Sequence, residues 1–124
     1  MIGIGKGGAR VTNSSFMNGV PELLILRLLE EREMYGYELV QAIRTQTGNA
    51  ISLGEGVVYP VLHTLERKRA LKARRKTVNG RTRVYYSVTR GGKKYLAGLV
   101  GNWNRVTGAL RPLIEEAGNV PTSV

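Results

Sequence analysis

The chain has 124 residues and a net charge of +10, with nineteen lysines and arginines against nine acids. That length suits one domain with a small core, and so large a cationic excess points to nucleic acid or an anionic membrane surface. The lack of cysteine excludes disulfides, thiolate metal sites and cysteine nucleophiles, and no apolar run approaches the ~20 residues of a membrane span.

Residues 1–16 are rich in Gly and Ser and read as a flexible N-terminal arm carrying Lys6 and Arg10. Gly3, Gly5 and Gly8 fit G-x-G-x-x-G, but no strand signal precedes them, so they do not read as a nucleotide loop. The stretch also lacks the apolar core of a signal peptide. A first helix is predicted from about Pro21 to Glu33. Its leucines lie nearly all round, which predicts burial on more than one side. A second helix runs from about Tyr35 to Thr47, with Tyr37, Leu39, Val40 and Ile43 apolar and Gly48 as its stop. Ile51–Leu53 reads as a short strand. A third helix starts near Gly56 and turns Val58, Val61, Leu62 and Leu65 inward, with Pro60 expected in its first turn.

The segment RRKTVNGRTRVYYSV (Arg74–Val88) is a hairpin. Asn79-Gly80 suits a type I′ turn, which needs positive φ at both central residues. A two-residue turn pairs Val78 with Arg81, Lys76 with Arg83 and Arg74 with Tyr85. Side chains alternate along a strand. One face therefore carries Lys72, Arg74, Lys76, Arg81 and Arg83. The other carries Leu71, Ala73, Val84, Tyr86 and Val88, with Arg75 out of place among them; Leu71 and Tyr86 are core candidates. Like charges opposite one another destabilise a free hairpin, so the cationic face implies a polyanion. The plainer alternative is an edge charged against aggregation.

Thr89 opens a long last helix, expected to span 90–117 with 118–124 as a tail and with Pro112 kinking or ending it. Leu96, Leu99, Trp103, Val106, Leu110 and Leu113 follow steps of three and four, the a/d seam of a coiled coil. A small domain offers such a helix no partner of its own, so the seam is a dimerisation surface, with Leu96, Leu99, Trp103, Val106 and Leu110 as its contacts.

Three helices followed by a cationic hairpin make a winged helix-turn-helix, with the third helix in the major groove and the hairpin, or wing, on the backbone. The fold class is mainly α with a β-hairpin wing (α+β), residues 17–89 forming the DNA-binding domain. Twelve of the nineteen cations fall between His63 and Lys94, where Glu66 is the only acid. Tyr59, His63 and Arg67 share one helix face at i, i+4 and i+8. Arg67 can pair with guanine or phosphate. The candidate DNA contacts are Tyr37, Tyr59, His63, Arg67, Arg74, Lys76, Arg81 and Arg83. Against them stand a half-buried core role for Tyr37 and Tyr59 and a solvated charge for Arg67. The chain has no Asp, its one His cannot assemble a metal cluster, and Glu115 and Glu116 are adjacent. No enzyme, metal site or cofactor is therefore expected. A sequence-nonspecific architectural nucleic-acid-binding protein fits the charge equally well.

MYGYEL (Met34–Leu39), GVVYPVLHTLE (Gly56–Glu66) and RVYYSVTRGGKKYL (Arg83–Leu96) resemble the PadR family of bacterial transcriptional regulators, in its short form with a single C-terminal helix. The likeness spans about Pro21 to Leu110. It implies a cytoplasmic, nucleoid-associated homodimeric repressor on an inverted-repeat operator, released by a small-molecule effector or stress signal, with no membrane partner. It also implies backbone contact by Tyr59 and an effector cavity between subunits at Leu99, Trp103 and Val106 for a small aromatic or cationic compound; the plainer alternative is that Trp103 only fills the dimer core. Two positions depart from the family pattern. Val57 stands where Ser or Thr is frequent, and Arg69 stands where Gly is usual, at a tight left-handed turn that costs more without glycine.

Overall fold

The computed structural model describes residues 19–123, with side chains as far as Glu115. The N-terminal arm expected at 1–16 and the glycines within it lie outside the described residues, as does Val124. The elements are α1 (19–31), β1 (Met34–Tyr35), α2 (Gly36–Gln46), α3 (Glu55–Arg67), β2 (Leu71–Val78), β3 (Arg81–Val88) and α4 (Arg90–Ser123). This is the α+β winged helix-turn-helix expected from the sequence.

The core forms where the apolar faces of the helices meet one face of the sheet. Ile25, Leu26 and Leu29 of α1, Leu39, Val40 and Ile43 of α2, and Val58, Leu62 and Leu65 of α3 are all buried. Leu23, Leu24 and Leu28 pack against the same cluster, which explains why α1 is apolar nearly all round. α2 ends at Gln46 with Thr47 as its C-cap, followed by Gly48 and Asn49 at φ +58 and +69. The Asn49 N–H donates to the Arg44 carbonyl at 2.8 Å.

The strand expected at Ile51–Leu53 does not form. The Thr47 hydroxyl donates to the Ile43 carbonyl at 2.7 Å and accepts from the Ile51 N–H at 3.1 Å, which holds this stretch as a loop onto α3. α3 starts at Glu55, so Pro60 sits in its second turn rather than its first. The carbonyl left without a helical donor is that of Gly56, an exposed residue that water can serve.

The sheet has the order β1-β3-β2. The hairpin pairs as the sequence predicts, with Arg74 opposite Tyr85, Lys76 opposite Arg83 and Val78 opposite Arg81. Asn79 and Gly80 both have positive φ, 53° and 77°. The short β1, invisible in the sequence pattern, places Met34 beside Tyr86 and Tyr35 beside Tyr85.

Arg69, in the turn from α3 to β2, has φ +64°. A side chain there costs about 1–2 kcal/mol, partly offset by the greater unfolded-chain entropy of glycine. Arg69→Gly is therefore expected to raise the unfolding free energy by roughly 0.5–1 kcal/mol, read from urea denaturation. A loss of stability would show that the arginine side chain is needed there.

α4 corrects the sequence reading twice. It continues through Pro112 to Ser123 instead of stopping near 117. In addition, Leu96 is 4% exposed and belongs to the protomer's own core, with Leu99 and Val100 packed against it. The seam expected for dimerisation therefore loses its first member: the domain does supply a partner for the start of α4. Further out, Trp103, Leu110, Leu113 and Ile114 stand exposed.

Candidate nucleic-acid interface

The helix-turn-helix and the wing meet around one cleft. Gly36, the first residue of α2, is buried beneath the Tyr59 phenol; a Cβ at Gly36 would lie 2.5 Å from the Tyr59 ring. The absence of a side chain at 36 lets Tyr59 lie across the start of α2. His63 follows one turn later, with its ring centroid 6.4 Å from that of Tyr59. On the wing side β1 pairs only with Tyr85 and Tyr86, so β3 has an open edge from Arg81 to Val84. There the Arg83 guanidinium lies 4.3 Å over the Tyr35 ring.

The resulting cleft, about 360 Å³, is lined by Tyr35, Tyr37, Tyr59, His63, Arg83, Val84 and Tyr86. It gathers four of the sequence-predicted DNA contacts, Tyr37, Tyr59, His63 and Arg83. Aromatic faces, phenol hydroxyls and one guanidinium together suit a sugar-phosphate strand: the rings pack on the sugar and the polar groups donate to phosphate. Tyr37 is half exposed, which argues against a core role. Burial raises the Tyr86 phenol pKa, so it stays a neutral donor.

The other predicted contacts lie apart. Arg67 is exposed near the end of α3, where it donates to the Thr64 hydroxyl at 3.1 Å. Arg81 is exposed at the tip of the wing. Arg74 and Lys76 are engaged internally. The Glu33 carboxylate accepts from Arg74 Nη2 at 2.8 Å and Nε at 3.1 Å, and from Lys76 Nζ at 2.6 Å. The Arg74 and Lys76 hydrogen bonds hold the Glu33 pKa down at about 2. Lys76 Nζ also lies 4.8 Å over the ring of the buried Tyr85. Lys76 and Arg83, opposite each other in the ladder, are thus drawn onto two different rings. Part of the charge that the sequence leaves for a polyanion is met by Glu33. The sequence gives no local cue for this, because Glu33 is 41 and 43 residues from its partners.

The residues expected to hold an effector are divided. Leu99 lines a groove of about 560 Å³ between α1, α3 and α4, next to Pro21, Val61 and Tyr95. Trp103 and Val106 lie beyond it on the projecting part of α4. At the groove's rim Tyr95 donates to Glu22 at 2.7 Å and Lys68 donates to the Tyr95 oxygen at 3.0 Å, tying α3 to α1 and α4. No helix among the described residues is long and apolar enough to cross a membrane.

A helix-turn-helix with a wing and a cationic, aromatic cleft between them defines a winged-helix DNA-binding protein. A profile of the transcriptional regulator PadR-like family matches residues 25–98, more than half of the chain. The chain belongs to the PadR family, whose members are transcriptional regulators and not enzymes. It is 37% identical to the uncharacterised protein X of Lysinibacillus sphaericus over 97 residues, 77% of this chain and 89% of that one. Among solved structures, a transcriptional regulator from Clostridium thermocellum superposes with a TM-score of 0.73 at 27% identity, covering 80% of this chain and 94% of that one. A PadR family transcription regulator from Clostridium difficile R20291 superposes with a TM-score of 0.68 at 27% identity, covering 76% and 97%.

Proposed function

We propose that this chain is a homodimeric repressor that binds an inverted-repeat operator at the nucleoid, in the cytoplasm, and leaves it when a small aromatic or cationic effector binds. The observation that carries the reading is the cleft, where Tyr37, Tyr59, His63 and Arg83 converge from α2, α3 and β3. A phosphate seated there fixes the register of α3 in the major groove, and Arg67 and His63 then lie along the groove side of the helix. Two-fold symmetry repeats the arrangement one helical turn away, about 34–36 Å along the duplex. The exposed apolar stripe from Trp103 onward is the surface through which the copies join. An effector stacking on the paired indoles changes the angle between subunits and hence the spacing of the reading helices.

Genome-fragment selection with the purified full chain tests this. The expected result is an inverted repeat common to the recovered fragments. Fragments without a shared motif, bound with one affinity, would replace this reading with that of a sequence-nonspecific architectural protein.

A further inference from the structure

The two faces of the wing differ in what they are free to do. On one face Arg74 and Lys76 are held by Glu33, and Lys76 also covers the ring of the buried Tyr85. Moving either cation to a phosphate breaks its hydrogen bonds to Glu33, and the carboxylate itself repels an approaching phosphate. The opposite face carries, from the core outward, the pairs Leu71–Val88, Ala73–Tyr86, Arg75–Val84 and Thr77–Thr82. Leu71 and Tyr86 pack in one cluster with Leu62 and Leu65 of α3. Val84 and Tyr86 line the cleft beside Tyr59 and His63. This face is therefore the one continuous with α3, and its outer two pairs project past that helix toward any duplex lying along it.

Those pairs hold one guanidinium and two hydroxyls. Arg75 is exposed and has no ion pair among the described residues. The Thr77 and Thr82 hydroxyl oxygens are 2.7 Å apart. One donates to the other, so the second keeps its hydrogen for an outside acceptor. A charged donor and a hydroxyl donor on one strand face form a phosphate-binding edge. The residue that looks out of place in the alternation is thus the cation best placed for the backbone.

We propose that, beyond Arg83 in the cleft, the wing meets the DNA backbone through Arg75, Thr77 and Thr82, and that Arg74 and Lys76 form an internal clamp with Glu33 and carry none of the phosphate contact. The proposal rests on the reading of the chain as a DNA-binding regulator. Its test is the slope of log affinity against log salt on a labelled random-sequence duplex, for variants whose fold is checked by circular dichroism. Arg75→Ala is expected to make the slope shallower by about 0.9, one phosphate contact. The double variant Arg74→Gln, Lys76→Gln is expected to keep the wild-type slope. An unchanged slope in Arg75→Ala or a shallower one in the double variant overturns the proposal. A folded wild type with no salt-dependent binding to any duplex sinks the DNA-binding reading itself, and the proposal with it.

Discussion

Gly92→Ala is expected to cost the fold roughly 3 kcal/mol or more, while Gly91→Ala, one residue away, is expected to add up to about 1 kcal/mol. Both glycines sit in the first turn of α4 and look equivalent in the sequence. A Cβ on Gly91 would meet nothing closer than 3.8 Å, so alanine there gains helix propensity without a clash. A Cβ on Gly92 would lie 2.0 Å from the Ala70 carbonyl oxygen and 2.8 Å from Val88 Cγ1. That carbonyl is not free to yield. It accepts from the Thr89 N–H at 3.0 Å, while the Thr89 hydroxyl donates to the neighbouring Arg69 carbonyl at 2.7 Å and accepts from the Gly92 N–H at 2.9 Å, which fixes the turn around it. Relief has to come from α4 swinging outward, which draws Leu96 from the core. On a total stability of about 5–15 kcal/mol, a loss of this size lowers the thermal midpoint by roughly 10–20 °C. Calorimetry of the two variants decides it. Similar midpoints for the pair would mean that the approach of α4 to Ala70 is soft.

The same comparison shows where sequence reasoning stops. The hairpin was legible to the residue because its determinants are local: an Asn-Gly turn and a period of two fix both register and faces. The α3 face bearing Tyr59 and His63 was legible for the same reason, since a period of 3.6 fixes which residues share a side. What a face meets is a different matter. Leu96 belongs to the same periodic stripe as Trp103, yet one is core and the other exposed. Periodicity gives the direction of a side chain and not its neighbour. Glu33 illustrates the point in the site itself. Nothing within its own segment marks it as the counter-ion of a wing some forty residues on, so the hairpin's charge looked wholly available. β1 escaped notice because two residues carry no period at all. Pro60 shows the limit of a propensity rule, which places proline in a first turn, whereas an exposed glycine carbonyl tolerates it one turn later.

The second large effect is expected on assembly. In the homodimer proposed above, Val106→Glu together with Leu110→Glu should raise the dissociation constant by a factor of about 10³ or more, equivalent to about 4 kcal/mol. The stripe they interrupt is exposed in the protomer: Trp103 is 37% exposed, Leu110 44% and Leu113 65%. A symmetric interface presents each position twice across the two-fold axis. The double variant thus brings four carboxylates into one apolar seam, where unpaired charges are heavily penalised. The protomer should stay folded, because neither residue belongs to its core cluster. This separates the test from truncation of α4, which removes Leu96 from the core and confounds assembly with folding. Sedimentation velocity reads the oligomer and circular dichroism the fold. A folded variant that remains dimeric at wild-type concentrations would move the interface away from α4. If monomers result, each carries one α3 and one wing, and operator affinity falls much further than affinity for random duplex. The random duplex needs only one reading head at a time, whereas the inverted repeat gains from the second being held nearby at high effective concentration.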